Sequence, residues 1–162
     1  MIENNDIKLE KNNKAFKFRV AGIIEKDNKI LVAKADCSRF PCFPGGHVSF
    51  LEDTKTALQR ELDEELYFKV KVEDLFLIHE NFFKNDNKNF HELCFYYIAK
   101  PLEDVETVDK DYEEIDHGFL IKYHYKWIEK NKLLDYNLHP KFVIKKLLKN
   151  DKENIHFVSS DY

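Results

Sequence analysis

Four glycines and four prolines punctuate this chain of 162 residues, and two of each fall within six positions, Pro41-Cys42-Phe43-Pro44-Gly45-Gly46. Proline removes a backbone donor and fixes φ, while glycine opens conformations that other residues avoid, so a turn is imposed here. Upstream, Phe16–Ile24 and Lys29–Ala35 are apolar-rich and separated by Glu25-Lys26-Asp27-Asn28, which predicts a hairpin. Downstream, Asp53–Leu66 holds no Gly, no Pro and few β-branched residues, which predicts a helix. Val70–His79 and Glu92–Ala99 then read as strands joined through the polar loop Lys84–Asn89, and Glu103–Asp116 as an exposed acidic connection. Phe119–Ile128 reads as an aromatic-rich strand, Pro140–Leu148 as a helix with proline in its first turn, and Ile155–Val158 as a short last strand. Strands and helices in this order, without strict alternation, predict an α/β (α+β) layered sandwich with a mixed sheet between helices.

Composition narrows the function classes. With 43% apolar and 35% charged residues and a mean hydropathy of −0.57, the chain is expected to fold around one continuous core in water. A net charge of −4 disfavours a basic surface for wrapping nucleic acid or coating an anionic membrane. No apolar run approaches the ~18 residues needed to span a bilayer. Residues 1–13 are polar and of mixed charge, without the apolar centre of a secretory signal, so 14–162 are expected to form a single domain. Three cysteines make no disulfide framework, which points to a reducing cytoplasm. Cys37, Cys42 and Cys94 also lack a fourth soft ligand at workable spacing, so zinc is not expected.

The acidic cluster Arg60-Glu61-Leu62-Asp63-Glu64-Glu65 could be an ordinary solvated helix face. Helical geometry argues otherwise. With Leu58 at 0° and ~100° per residue, Leu62 falls near 40°, Leu66 near 80° and Ala57 near −100°, which defines an apolar stripe. On the same wheel Glu61 lies at about −60° and Glu65 at about −20°, inside that stripe, and Glu64 at about −120°, on its edge. Carboxylates on a core-facing stripe are costly unless compensated, and a hard divalent cation compensates them well. Glu61 and Glu65, four apart, stack on one face as a metal pair requires. The preceding Pro-Gly-Gly turn lets backbone carbonyls and amides approach an ion or phosphate closely.

This segment resembles the Nudix box, G-x5-E-x7-R-E-U-x-E-E-x-G-U. Gly46 opens it, Glu52 and Arg60-Glu61 follow, Leu62 fills the first U, Glu64-Glu65 are the paired acids, and Phe68 is the final U. Eight of nine specified positions agree over the 23 residues Gly46–Phe68. The departure is Tyr67, standing where the family has glycine; the family's helix end resembles a left-handed one, where a Cβ costs about 1–2 kcal/mol, so either Tyr67 accepts that strain or the helix ends differently. The family fold is an α/β/α sandwich, here expected over Phe16 to Leu148. Its activity is Mg²⁺-dependent hydrolysis, with Mn²⁺ as a substitute, of a nucleoside diphosphate linked to another moiety, a nucleoside triphosphate or nucleotide-sugar.

By the same resemblance Glu61 and Glu65 are the principal metal ligands, joined by the Gly45 carbonyl. Glu64 is a further ligand or binds a coordinated water, Arg60 orients the acids, and Glu52 bonds Arg60 or stands near the metal. The general base is the first motif glutamate or comes from a later loop, where Glu113, Glu114 and His117 are candidates beside the plainer reading as solvated charge. Glu80, His91 and Glu92 sit where acidic positions contact substrate in some relatives, and Arg39 precedes the turn as a phosphate candidate; edge-strand and surface charge are the alternatives. Tyr96, Tyr97 and Trp127 read as core packing. A small nucleotide is the expected partner, with neither nucleic acid nor membrane, and a homodimer is allowed. The rival reading is a non-catalytic nucleotide-sensing module, which the retained Glu61, Glu64 and Glu65 disfavour; an acidic calcium-binding domain leaves Pro44-Gly45-Gly46 unexplained.

Overall fold

A computed structural model describes residues 5–160 apart from 86, 117, 118, 152 and 154, and describes the backbone alone for 114–116 and 119. In chain order the elements are β1 (Lys8–Lys11), β2 (Lys14–Lys26), β3 (Lys29–Ala35), α1 (Thr54–Glu65), β4 (Val70–Asn85), β5 (Lys88–Pro101), β6 (Lys110–Asp116), β7 (Phe119–Glu129), α2 (Lys141–Leu148) and β8 (His156–Ser160). Eight strands make one mixed sheet in the order β6-β7-β3-β2-β5-β4-β8, with β1 also paired to β2. The β2–β3 turn places Asp27 and Asn28 at φ 51° and 59°, a left-handed pair that Asp and Asn tolerate better than most residues. Among the described residues no helix is long and apolar enough to cross a membrane.

Alternation along the central strands sorts their side chains into two cores. Val20, Ile24, Leu31, Ala33, Tyr97 and Ala99 pack with Ala57, Leu58 and Leu62 of α1. Ala21, Ile23, Ile30, Val32, Cys94 and Tyr96 pack with Val143, Ile144 and Leu147 of α2. The period-2 swap between faces makes the sheet the middle layer of an α/β/α sandwich.

β2 and β3 pair only at Glu25–Ile30 and Lys26–Lys29 and then separate. Residues 42–48 fill the gap. Ala33 and Cys42 exchange two backbone hydrogen bonds of 2.8 Å, Gly22 N–H donates to Pro44 O (2.8 Å), Val20 N–H to Gly46 O (3.0 Å) and Val48 N–H to Phe18 O (3.0 Å). The turn-forming run is thus an inserted segment whose backbone groups are answered on both sides. Outside it, Ile7 N–H donates to Val48 O and Phe50 N–H to Asn5 O, so part of the polar N-terminal segment is joined to it.

Two sequence expectations need correction. The stretch expected as an exposed connection contains strand β6, because β7 supplies cross-strand partners: Lys122 lies opposite Glu113, with Nζ 2.7 Å from the carboxylate, and His124 lies opposite Asp111. The loop expected over Lys84–Asn89 is shorter, since β4 runs through Asn85 and β5 begins at Lys88. Stacking of Phe82 on His91 (4.3 Å) and of Phe83 on Phe90 (5.0 Å) carries the hairpin further than the polar residues suggested.

His124 ties three strands together, with Nδ1 2.7 Å from Asp111 of β6 and Nε2 2.8 Å from Asp36 just after β3. Asp111 first and Asp36 second raise its pKa above the usual histidine value. A raised folded-state pKa stabilises the fold fully below the unfolded value of about 6.5, and the contribution is lost as pH rises through the folded value. Urea titrations of wild type and His124→Gln between pH 5.5 and 8.5 are expected to show a stability gap that narrows with rising pH. A pH-independent gap would rule this bridge out as a charged one.

Candidate active site

The acids are positioned by how α1 begins. Asp53 caps the helix, its Oδ1 accepting from Lys55 N–H (3.0 Å) and Thr56 N–H (3.1 Å). Gln59 anchors the other direction, accepting from Val72 N–H (3.1 Å) and donating to Val70 O (3.0 Å). With Ala57, Leu58 and Leu62 buried against the sheet, Glu61 and Glu65 come to lie half-buried while Glu64 stays exposed, as the helical wheel implies.

Arg60 organises three of the acids. Its Nε and Nη2 grip Glu52 with a fork of 2.9 and 3.0 Å, Nη1 donates to Glu61 (2.9 Å) and Glu64 (3.4 Å), and Nη2 also reaches His47 O (3.2 Å). Arg60 holds Glu52 below the ordinary carboxylate range. Glu61 goes the other way: burial raises its pKa, and the hydrogen bond and charge of Arg60 only partly offset that. Its carboxylate lies against Gly46 so closely that a Cβ on residue 46 would sit 2.2 Å from Oε2. Gly45, at φ 141°, leaves no more room, since a Cβ there would stand 2.3 Å from Val20 O.

Glu65 Oε2 accepts from the buried Tyr125 hydroxyl at 2.9 Å, and burial, with Glu65 beside it, raises the phenol's pKa and keeps it a donor. The carbonyl of Gly45 accepts from Arg19 Nη2 (3.3 Å), and Arg19 Nη1 lies 3.9 Å from Glu92. Sequence reasoning missed Tyr125 and Arg19. Tyr125 meets Glu65 across 60 residues with no local signal, whereas Arg19, alternating with Lys17 in an apolar strand, was a usable sign.

As a metal site, these donors are anionic carboxylates and a carbonyl, the oxygen set that Mg²⁺ takes. Gly45 and Gly46 also leave the turn bare of side chains beside Glu61. The donor chemistry therefore fits a hard divalent ion. Among the described residues no three His, Cys, Asp or Glu side chains converge on one point as a ready cage; Arg60 reaches Glu61 and Glu64 here.

Of the remaining sequence candidates, Glu113, Glu80, His91 and Arg39 have their contacts elsewhere. Glu113 is paired with Lys122 on β6. Glu114 is on that strand too, opposite Ile121, and not on a loop; its side chain lies outside the described residues, as does all of His117. Glu80 is 2.7 Å from His156 and 3.9 Å from His91, whose ring stacks on Phe82. Arg39 lies over Phe40, which stacks on His139 just ahead of α2. Of the four candidate substrate contacts, only Glu92 shares a partner with the Gly45 turn.

Tyr67 does not take the left-handed conformation expected of it. The helix ends through Leu66 in extended backbone (φ −89°, ψ 144°), and the left-handed non-glycine residue of this region is Leu51, at φ 64° and fully exposed. The Tyr67 ring meets Phe68 edge-on, carries Lys110 Nζ 4.0 Å above its face, and donates its hydroxyl to Val108 O (3.3 Å).

Comparison with known proteins gives a consistent answer. The family model described as NUDIX domain matches residues 15–145. Among solved structures, a NUDIX hydrolase from Nitrosomonas europaea is 18% identical with a TM-score of 0.60, over 83% of this chain and 87% of that one. A MutT protein from Methanosarcina mazei Go1 is 23% identical with a TM-score of 0.55, over 86% and 95%. An ADP-ribose pyrophosphatase from Streptococcus suis 89-1591 is 15% identical with a TM-score of 0.52, over 88% and 98%. No curated protein matches the sequence.

Three substitutions at two positions test the helix boundaries. Tyr67→Gly removes the cation–π contact and the hydroxyl bond and adds glycine's chain entropy, an expected loss of about 2 kcal/mol in urea denaturation. An unchanged midpoint would return Tyr67 to the left-handed reading. Leu51→Gly relieves left-handed strain without losing packing and is expected to be neutral or up to about 1 kcal/mol stabilising, while Leu51→Val is expected to destabilise.

Proposed function

Because the chain belongs to the Nudix family, whose members are pyrophosphohydrolases acting on small nucleotides, we propose that it uses Mg²⁺, with Mn²⁺ as a substitute, to hydrolyse a nucleoside diphosphate linked to another moiety. The substrate class proposed is a nucleoside triphosphate or a nucleotide-sugar. The observation that carries this reading is the Arg60-held set of Glu52, ahead of α1, and Glu61 and Glu64 on it, with Glu61 against Gly46. Three unbridged thiols, Cys37, Cys42 and Cys94, support a reducing cytoplasm as its setting.

Glu61, Glu64, Glu65 and the Gly45 carbonyl would hold the ion. When bound, the ion supplies the positive charge that the phosphate oxygens need as a bond to phosphorus breaks. The chain's own residues do the rest. Arg60 fixes the rotamers of Glu61 and Glu64 and limits their mutual repulsion. Tyr125 fixes Glu65 by donating its hydroxyl to Oε2. Arg19 aims the Gly45 carbonyl, and the missing side chain at 46 lets the Glu61 carboxylate lie against the turn. For the proton of the attacking water the proposed acceptor is Glu114, on the strand beside β7, which carries Tyr125.

Glu65→Gln is expected to lower hydrolysis of a responsive nucleotide by about 100-fold or more with the fold intact, and Glu61→Gln likewise. Retention of a tenth of the rate would remove the ligand assignment. Glu114→Gln tests the base, and an unaffected rate disposes of it. Mg²⁺ at about 100 times its Kd is expected to stabilise the fold by ~2.7 kcal/mol, reversed by EDTA. A Tm indifferent to both would argue against the metal.

A further inference from the structure

The sheet ends in β6 on one side and in β8 on the other, and the two ends differ in kind. β6 carries charge at five of its seven residues, Lys110, Asp111, Glu113, Glu114 and Asp116, a common guard against edge-to-edge pairing. β8, His156-Phe157-Val158-Ser159-Ser160, holds no Lys, Arg, Asp, Glu, Pro or Gly. Its histidine is bound through Nε2 to Glu80 of β4 at 2.7 Å. Apolar side chains stand out at this end instead: Val158 is 53% exposed, Ile155, just ahead of the strand, 51% and Phe157 39%.

Register shows which backbone groups this edge offers. β8 lies parallel to β4, with His156 level with Ile78, Val158 with Glu80 and Ser160 with Phe82. Ile78 N–H donates to Ile155 O at 2.6 Å, so Ile155, Phe157 and Ser159 turn their backbone groups toward β4. His156, Val158 and Ser160 therefore turn theirs outward, a row of N–H and C=O groups that meets no strand among the described residues. Such a row is self-complementary. Laid antiparallel about a two-fold axis through Val158, it sets Val158 against Val158 and His156 against Ser160 of a second copy, and each copy's donors meet the other's acceptors. This is the register that uses all the outward residues of both strands.

We propose that β8 is a self-association edge, through which two copies of the chain join antiparallel at Val158 into one continuous sheet. Charge favours a second copy over a charged partner, because β8 presents no acid or lysine to repel its own image or to draw an opposite charge. In this register Phe157 stands opposite Ser159 of the other copy, on the face where its ring stacks on Phe142 of α2 at 3.7 Å. The contact spans five residues, about 17 Å of strand, so the dimer is expected to be weak, in the micromolar range. The axis stands perpendicular to the sheet, which puts both α1 helices on one face; β5 and β4 separate the contact from β2 and the Gly45 turn.

The test is sedimentation velocity from low to high micromolar concentration, with Tm as the folding control. Wild type is expected to pass from monomer to dimer, and a wild type that stays monomeric throughout would overturn the proposal. Val158→Lys sets like charges face to face on the axis and is expected to raise the dissociation constant about tenfold or more with Tm unchanged. Val158→Pro removes an N–H that β4 does not use and is expected to do the same, since proline is tolerated on an edge whose N–H faces solvent. An unchanged dissociation constant in both variants would put the contact elsewhere and overturn the proposal. Register is read separately, in a Cys37→Ser background that removes the exposed native thiol. There Val158→Cys is expected to cross-link to its own image with a short bis-maleimide, because residues that exchange both hydrogen bonds have Cα atoms about 5.5 Å apart. Ser160→Cys lies about 14 Å along the strands from its image and is expected to cross-link far less. Equal cross-linking of the two would overturn the pairing through Val158.

Discussion

The parting of β2 from β3 around the inserted Pro44-Gly45-Gly46 segment is the constraint on which the site depends. A sheet split open exposes two rows of backbone groups, and here the inserted residues answer both: Cys42 pairs with Ala33 on one side, and Pro44 and Gly46 accept from Gly22 and Val20 on the other. That fit works only if the segment lies flat against β2. A side chain at 45 would run into the Val20 carbonyl, and one at 46 into the Glu61 carboxylate. The two glycines are therefore steric requirements of opposite kinds, one set by the strand and one by the helix. Together they bring a backbone turn and an acidic helix face into contact.

The second dependency is electrostatic. Glu61 sits where burial disfavours its charge, and the exposed Glu64 one turn away adds repulsion. Arg60 offsets this, because a guanidinium can serve several acceptors from one plane: Glu52 through a fork, Glu61 and Glu64 through Nη1, and the His47 carbonyl through Nη2. A lysine would supply the charge but not the fork. Burial still outweighs Arg60 at Glu61, which disfavours its charged form unless further positive charge comes near.

What could be read from the sequence was what is local. The helix expected over Asp53–Leu66 follows from its helix formers and is found at Thr54–Glu65, the half-burial of Glu61 and Glu65 follows from their place in the apolar stripe with Glu64 on its edge, and the Glu52–Arg60 bond was one of two roles the family resemblance offered. The pieces that were not legible are all set by distant partners. β6 is a strand because β7 offers Lys122 and His124 across from its acids, so an acidic stretch read alone looked like solvent-facing loop. Tyr125 reaches Glu65, and Arg19 reaches Gly45, through tertiary placement that no spacing encodes. The missing glycine at 67 left two helix ends open, a strained Tyr67 or a different route, and the chain takes the second, leaving the helix through Leu66 in extended backbone with a left-handed residue at Leu51, before the helix.

β2 joins these two dependencies through its register. Its alternation sends Val20 and Ile24 toward α1 and Ala21 and Ile23 toward α2. Gly22, between them, lets Leu62 come so near that a Cβ would be 3.1 Å from Leu62 Cδ1. That close approach sets the height of α1 over the sheet, and hence the distance from Glu61 to Gly46. The same alternation leaves Arg19 and Lys17 on the face away from α1. A slip of one residue would bury both cations under the helix and turn Val20 and Ile24 to the other side, so the apolar residues that build the core also fix where the cations stand. Acids on one side of the Gly45 turn and cations on the other are thus a single consequence of one strand's hydrophobic pattern.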